Sequence, residues 1–229
     1  MSTLAAPIIG TLNENPLHSA LKAWYARPGD CFEVPVDGFV VDIVRGGLLV
    51  EVQTANFSAI GRKLAGLAAT HPVRLVYPIA AEKWIVRLDA DGRALSRRRS
   101  PKRGAVVQVF AELVRIPRLP AHPNFSLDVL LTREEEVRRY EEGRAWRRKG
   151  WVICERRLIE VTGHRLFSTP ADLAALLPPE LPEPFTTADV AAAGPHPRWL
   201  AQKMAYCLRQ MGAIRQAGKR GNALLYALP

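Results

Sequence analysis

Apolar residues follow two different periods along this chain, and the changes between them predict where strands and helices lie. Between residues 38 and 54, two apolar runs flank the dipeptide formed by Gly46 and Gly47. Glycine reaches the positive φ angles that a tight two-residue turn requires, so the pattern predicts a β-hairpin. With the glycines at the turn, Asp42 on the first strand lies directly opposite Glu51 on the second.

The two faces of the predicted hairpin differ in polarity. Because the side-chain period of a strand is two, one face holds Val40, Asp42, Glu51 and Gln53, and the other holds Phe39, Val41, Ile43, Val50 and Val52. Facing carboxylates repel each other, and apolar surroundings deprive them of hydration. A shared proton, a basic partner or a divalent cation would stabilise the pair. The alternative is an edge ribbon whose acidic face points to water.

The pattern around the hairpin predicts the element order α-β-β-β-α-β. Polar residues before Pro16 favour a helix start, because proline suits the first helical turn. The predicted elements are a helix at 16–26, a strand at 31–36, the two hairpin strands, a helix at 56–70 and strands at 73–78 and 83–88. The strand at 73–78 is almost wholly apolar, as buried parallel strands are. We expect the helical crossover to be right-handed.

Basic residues concentrate in the middle of the chain. The stretch 97–103 precedes an apolar helical face, which predicts either a phosphate-binding loop that opens a helix or an exposed charged loop. A strand is predicted at 125–131. Thr132 then resembles the cap of a helix that enters the very charged segment 133–149, and 151–161 reads as a strand. This region is a DNA-facing arm or a solvated surface with mixed ion pairs.

The last 45 or so residues resemble a winged helix-turn-helix. A proline-rich connector at 178–184 separates them from a predicted domain at 1–177. Within 185–229 we expect a short helix, a second helix at 198–211 and a hairpin from strands at 213–217 and 223–228. The resemblance implies DNA contacts through the second helix and the wing tip, although winged helices also dock proteins. The polar candidates are Arg198, Gln202, Lys203, Arg209, Lys219 and Arg220.

Composition adds an anionic partner to this picture. The 229 residues include 32 Lys and Arg against 22 Asp and Glu, a formal net charge of +10. Most of the basic residues are arginine, which suits phosphate, so nucleic acid or another anionic surface is expected, with a solvated arginine-rich surface as the alternative. No apolar run is long enough for a membrane helix, and no secretory signal is evident. We therefore expect a cytoplasmic, nucleoid-associated protein without a membrane partner.

Three cysteines lie far apart at positions 31, 154 and 207. Their spacing fits neither a zinc site nor a disulfide framework. We expect reduced thiols that are buried or partly buried.

The hairpin and the elements around it, over about residues 12–80, resemble the core of the PD-(D/E)XK nuclease superfamily. In that family an Asp late in the second strand and a (D/E)-x-K motif on the third carry the chemistry. Asp42 matches the Asp, Glu51 matches the acidic position, and Gln53 replaces the lysine. Glu14 falls where some members place a Glu on the first helix. The resemblance implies an α/β, restriction-endonuclease-like fold with a mixed sheet.

The same resemblance implies a DNA endonuclease that depends on Mg²⁺ or Mn²⁺ and acts in repair, recombination or mobile-element processing. Asp42, Glu51 and the carbonyl of Val52 would hold the metal, Gln53 would orient the attacking water, and Glu14 would support a water or a second metal. The DNA would be double-stranded, branched or damaged. Besides the six winged-helix candidates, the expected DNA contacts are Arg62, Lys63, Arg97, Arg98, Arg99, Lys102, Arg103, Arg147, Arg148 and Lys149.

Two other functions remain open on the sequence. The chain could be a catalytically inactive nuclease-fold protein that only binds DNA, because glutamine brings no charge to the lysine position. It could also be a partner subunit of a helicase or another DNA-processing protein, and a homodimer is left open. A Ser/His hydrolase has no support, because the five histidines accompany no nucleophile motif.

Overall fold

The computed structural model describes residues 15–229, which form a mixed α/β fold. The helices are α1 (Pro16–Tyr25), α2 (Phe57–Ala68), α3 (Phe110–Leu113), α4 (Pro170–Ala174), α5 (Thr187–Ala193) and α6 (Arg198–Gln210). The strands are β1 (Cys31–Val36), β2 (Phe39–Arg45), β3 (Leu48–Val52), β4 (Val73–Leu88), β5 (Ala94–Arg99), β6 (Phe125–Tyr140), β7 (Trp151–Phe167), β8 (Arg215–Arg220) and β9 (Ala223–Ala227). Short 3-10 helices occur at Val106–Val109, Leu119–Ala121 and Trp146–Arg148.

Strands β1 to β7 form one mixed sheet in the order β1-β2-β3-β4-β6-β7, with β5 also paired to β4. The β3–β4 and β4–β6 pairs are parallel, and the other pairs are antiparallel. The predicted element order α-β-β-β-α-β is confirmed. The predicted hairpin register is confirmed as well, because Ile43 pairs with Val50 and Arg45 with Leu48, while Gly46 has the positive φ that the turn requires.

Helices cover both faces of the sheet. On one face, Leu17 and Leu21 of α1 pack on Ile43 and Val50 of the hairpin. Helix α1 begins as predicted, with the Asn15 side chain accepting a hydrogen bond from the Leu17 backbone and Pro16 in the first turn. On the other face, α2, α3, α4, α5 and α6 contribute to a larger hydrophobic cluster. The hairpin therefore lies between two helical layers.

The prediction of separate strands at 73–78 and 83–88 was wrong, because β4 is one strand from Val73 to Leu88. Its edge toward β3 and β5 has no strand partner in the middle, since β3 pairs with β4 only as far as Val76 and β5 pairs with it only from Trp84 onward. The carbonyls of Val76 and Ala80 face this edge, where they accept hydrogen bonds from Gln53 and Gly104. Backbone groups of alternate residues point to the same edge of a strand, so those of Pro78 also face the open edge. The N–H that proline lacks therefore removes no hydrogen bond between strands.

The capped helix predicted from Thr132 was also wrong. Residues 132–140 continue strand β6, which pairs with β4 on one side and β7 on the other. The charged residues in this stretch are typical of a solvated helix, but several of them are buried in ion pairs. The Glu134 side chain is fully buried, and it accepts hydrogen bonds from Thr132 and Arg156. Strand β7 likewise runs to Phe167, beyond its predicted end.

The basic stretch 97–103 is only partly a loop. Arg97, Arg98 and Arg99 end strand β5, and the loop begins at Ser100. The apolar helical face predicted behind it is present as the 3-10 turn Val106–Val109 followed by α3.

The C-terminal part has the expected sequence of helix, helix and hairpin, in α5, α6 and the β8–β9 pair. Buried residues of α6, including Met204 and Leu208, lie in the same hydrophobic cluster as Phe110 and Leu113 of α3. The winged-helix resemblance and the domain boundaries at 178–184 stay predictions.

The three cysteines differ in their exposure to solvent. Cys31 and Cys154 are exposed, so the prediction of buried or partly buried thiols was wrong for them, while Cys207 is buried; all three are free. Across residues 15–229, no helix combines the length and apolar character that a membrane crossing requires.

Candidate functional site

The acidic pair lies where β2 and β3 separate. The last ladder pair on that side is Ile43 with Val50, one residue before Asp42 and Glu51 would meet. Beyond it, the Asp42 carboxylate accepts a hydrogen bond from the backbone N–H of Val52 at 2.8 Å. The two acids are neighbours because the residue that follows Glu51 donates this bond to Asp42, and burial together with the charge of Asp42 raises the pKa of Glu51.

The predicted faces of the hairpin hold only in part. Val41 and Ile43 were expected on one face, but Val41 packs in the cluster with α2 and Ile43 packs with α1. This alternation fails because β2 leaves its ladder with β3 at Asp42. As a result, the two acids are neighbours that contact different helices, Asp42 contacting α1 and Glu51 contacting α2.

Asp42 is held by basic groups of α1. His18 Nε2 lies 3.3 Å from Asp42 Oδ2, and Lys22 Nζ lies 3.9 Å from Oδ1. Lys22 also bonds to Glu33 on β1. Burial alone would raise the pKa of Asp42, but the hydrogen bonds from His18 and the Val52 N–H outweigh it and lower this pKa below its ordinary value. Asp42 is therefore charged at neutral pH.

Glu51 has the opposite electrostatic balance. Its side chain is buried, with 4% of the residue exposed. Burial and the negative charge of Asp42 raise its pKa to about 7, although Lys63 partly offsets them. Lys63 Nζ lies 2.6 Å from Glu51 Oε1, so this ammonium is the partner of the buried carboxylate oxygen.

Lys63 has a different place from the one predicted. We expected it to contact the DNA backbone, but its ammonium lies beside Glu51 and donates to the Val40 carbonyl at 2.5 Å. It thus brings to the acidic pair the positive charge that Gln53 lacks. The sequence does carry a weak signal for this role, because Lys63 borders the apolar stripe of the helix that follows the acidic strand.

The other predicted members of the site are not brought to the acids. The Gln53 amide donates to the carbonyls of Ala55 and Asn56, in the loop before α2. Val52 pairs with Val76 of β4 as well as donating to Asp42. Glu14 lies outside the described residues. Within the described chain, no group of three or more His, Cys, Asp and Glu side chains has a metal-binding arrangement.

A large basic groove begins just beyond the acidic strand. It has a volume of about 820 Å³ and starts at Thr54 and Ala55, three and four residues after Glu51. Its floor is the middle of β4, where the edge away from β6 has no strand partner, and one wall is the loop that follows β5. At Gly104 this loop approaches β4 so closely that an added Cβ would lie 2.5 Å from the Ala80 carbonyl oxygen, so only glycine fits. The charged lining residues are Lys83, Arg98, Lys102, Arg103, Arg138, Arg148, Arg156 and a single acid, Glu136.

The predicted DNA contacts divide into three groups. Those that line the groove are Arg98, Lys102, Arg103 and Arg148. Those held by other protein groups are Arg97 on Glu135 and Trp84, Arg99 on Glu82, Lys203 on the Ala111 carbonyl, and Arg220 on Asp189. The remaining candidates are spread over the surface away from this lining: Arg62, Arg147, Lys149, Arg198, Gln202, Arg209 and Lys219. Sequence reasoning missed the groove residues Lys83, Arg156 and Trp199, and it gave Arg138 only as part of the charged segment 133–149.

Comparisons with known proteins agree with the extent of the sheet. Residues 15–168, from the start of α1 to the end of β7, match the family model described as Domain of unknown function (DUF8091). An uncharacterized protein of Treponema pallidum (strain Nichols) is 33% identical over 221 residues, which cover 95% of this chain and 86% of the relative. No solved structure matches. The chain therefore belongs to the DUF8091 family.

Proposed function

We propose that this protein is a DNA endonuclease dependent on Mg²⁺ or Mn²⁺, with a PD-(D/E)XK-like core and a C-terminal winged helix-turn-helix. The observation that carries the proposal is the placement of Asp42 and Glu51 where β2 and β3 separate, with the basic groove beginning a few residues away. The α-β-β-β-α-β order and the parallel β3–β4 pair support the fold assignment.

The residues of the acidic pair fit a hard divalent cation. Such ions take oxygen ligands and are commonly held by one or two carboxylates plus waters and substrate phosphates. Glu51 Oε1 is buried with the Lys63 ammonium 2.6 Å away, and burial together with the negative charge of Asp42 still raises the pKa of Glu51 to about 7. A bound cation would lower the pKa of a water and neutralise charge on the phosphate.

The protein groups around the pair have separable tasks in this proposal. Asp42 stays ionised because His18 and the Val52 N–H stabilise its charge. Glu51, with a pKa raised to about 7, exchanges a proton near neutral pH, and its ionised form would be the one that holds a cation. Lys63 takes the place of the missing motif lysine, because its ammonium lies beside Glu51. Gln53 shapes the loop before α2.

The test uses metal binding and cleavage together. Branched, damaged and plain duplex DNA are incubated with Mg²⁺ or Mn²⁺, and Mn²⁺ binding is measured by calorimetry without DNA. We expect cleavage by the natural protein, and loss of both cleavage and Mn²⁺ binding in Asp42→Asn and Glu51→Gln. Arg93→Gln is the control, because Arg93 is an exposed cation that is neither an expected DNA contact nor part of the groove lining. Cleavage that persists in both acid variants would refute the assignment of the site.

A non-cleaving DNA-binding protein is the second candidate. The observation that favours it is the set of basic side chains already placed around the acids, namely His18, Lys22 and Lys63. These groups could balance the carboxylates as a purely structural cluster. Salt-dependent DNA binding that is unchanged in Asp42→Asn, together with no Mn²⁺ heat signal in the natural protein, would select this candidate.

A further inference from the structure

The groove beside the acidic strand exists because the sheet is interrupted there. Strand β4 pairs with β3 only up to Val76 and with β5 only from Trp84 onward. Between these points β4 is covered on that edge by the loop after β5, which is tied to it by bonds from Gly104 to Ala80 and from Ser100 to Lys83. The result is a concave channel, with β6 and β7 on its far side.

Four of the seven cations that line the groove form ion pairs. Lys83 and Arg138 both bond to Glu136, and Arg156 bonds to the buried Glu134. Arg103 shares Glu82 with Arg99 and Arg133. These pairs shape the walls, and because Glu136 and Glu82 each meet more than one cation, part of the positive charge stays uncompensated.

Three groove cations have no acidic partner. Arg98 at the end of β5, Lys102 in the following loop and Arg148 in the β6–β7 turn form no ion pair with any residue between 15 and 229. They come from three separate segments and converge on one concavity. Unpaired cations that face the same channel produce a strong positive potential, which attracts a polyanion.

An exposed aromatic ring lies on the same channel. Trp199, in the first turn of α6, lines the groove and is 51% exposed. Lys203 Nζ lies 5.5 Å from the centre of its ring. An indole ring beside cations presents a flat apolar surface on which an unpaired base can stack.

We propose that this groove binds a single strand of nucleic acid, with phosphates on Arg98, Lys102 and Arg148 and a base stacked on Trp199. The inference rests on the proposed function for its biological meaning. It adds to that function a single-stranded segment as part of the substrate. A flap or the unpaired arm of a branched DNA supplies such a strand next to the acidic pair. Bases within a duplex are stacked on each other, so only an unpaired one meets Trp199.

Binding is measured by fluorescence anisotropy with a labelled oligothymidine of about 15 nucleotides and with a duplex of equal length, in EDTA so that no cleavage occurs. We expect the single strand to bind more tightly than the duplex. Trp199→Ala should weaken single-strand binding about tenfold, and Trp199→Phe should restore most of it, because a base stacks on either ring. Replacing Arg98, Lys102 and Arg148 with Gln should weaken binding at least about tenfold and reduce the slope of log affinity against log salt by about 2.

The matched control replaces Arg27, Arg93 and Arg215 with Gln. These exposed arginines lie outside the groove and form no ion pair within residues 15–229, so the control removes equal charge. Equal losses in the two triple variants would overturn the proposal. So would equal or tighter duplex binding, or competition by polyglutamate as effective as that by unlabelled oligothymidine, since the latter would indicate an acidic peptide ligand.

The failures of the two proposals are distinguishable. Single-strand binding that survives in Asp42→Asn without any cleavage by the natural protein would remove the nuclease function alone. Cleavage without preference for the single strand would remove the groove assignment alone. Circular dichroism and thermal melting of each variant confirm that folding is unchanged.

Discussion

The ammonium of Lys63 on α2 lies 2.6 Å from Oε1 of Glu51 on β3, so a single ionic contact joins the helical layer to the acidic strand. The contact is largely shielded from water, because Glu51 is buried and Lys63 is mostly covered. Both the charge state of Glu51 and the stability of this region therefore depend on Lys63.

Lys63→Met should destabilise the protein in a pH-dependent way. At pH 8 the variant leaves a buried Glu51 carboxylate without its cation, and we expect a loss of roughly 1–3 kcal/mol in the free energy of unfolding. At pH 5 Glu51 is protonated in the folded state, so the loss should be smaller. Urea unfolding at the two pH values measures it. Arg62→Met is the control, and equal losses at both pH values in Lys63→Met would contradict the expected role.

Glu51 should make the protein less stable as pH rises from about 5 to 7. Burial and Asp42 raise its folded-state pKa from 4.5 to about 7, so the folded state holds a proton that the unfolded chain has released. Stability from this group is complete below the unfolded pKa and is lost as pH passes through the folded pKa, by up to about 3 kcal/mol.

Glu51→Gln tests this directly, because the amide does not titrate. Its free energy of unfolding should vary less between pH 5 and pH 8 than that of the natural protein, with the difference seen at the alkaline end. Saturating Mn²⁺ should also stabilise the natural protein more at pH 8 than at pH 5.5, since the cation binds the ionised form. A parallel pH profile for both proteins would show that Glu51 titrates at its ordinary pKa.

Arg156 and its neighbour Arg157 should differ sharply in their effects on stability. Arg156 bonds to Glu134, whose side chain is fully buried, whereas Arg157 bonds to Glu155 at the surface. Removing one partner of a buried pair leaves an uncompensated charge, so we expect Arg156→Met to cost about 3–5 kcal/mol. Arg157→Met should cost about 0–1 kcal/mol. Thermal or urea unfolding compares them, and similar values would mean that Glu134 finds another partner.

Lys203 should contribute to folding more than to DNA binding. Its Nζ donates to the Ala111 carbonyl at 3.2 Å, which ties α6 to α3. We expect Lys203→Ala to reduce the free energy of unfolding by about 1 kcal/mol, with little change in duplex affinity. Arg209→Ala, on the exposed side of α6, should show the reverse if the winged-helix reading is correct. A large affinity loss with unchanged stability in Lys203→Ala would return Lys203 to its predicted role.

Local patterns in the sequence were sufficient for the hairpin. The two glycines set the turn, the turn set the register, and the register placed Asp42 next to Glu51. The same reasoning failed for β4 and β6, because the strands that pair with them are distant in the sequence. Pro78 suggests a strand end, yet it lies where no partner strand needs its N–H, and the charges after Thr132 suggest a solvated helix, yet their partners arrive from β7.

The candidate site likewise has a part that local sequence patterns predict and a part that depends on long-range packing. Its two acids follow from residues nine apart in a hairpin, which local spacing can predict. Lys63 and Trp199 reach the site and the groove from helices that the sequence alone does not orient, and which neighbour each side chain meets depends on how α2 and α6 pack. Gln53 shows the limit of local spacing, because its amide bonds to the following loop and not to the acids.

The interruption in the sheet at β4 also bears on solubility. An exposed strand edge with alternating donors and acceptors is a template for pairing with another chain, and this is a common start of aggregation. At Pro78 the open edge has an acceptor but no donor, and Gly104 already occupies the Ala80 carbonyl. The edge therefore cannot form a continuous set of hydrogen bonds with a strand of a second molecule. The gap can stay open to a ligand without promoting aggregation of the protein.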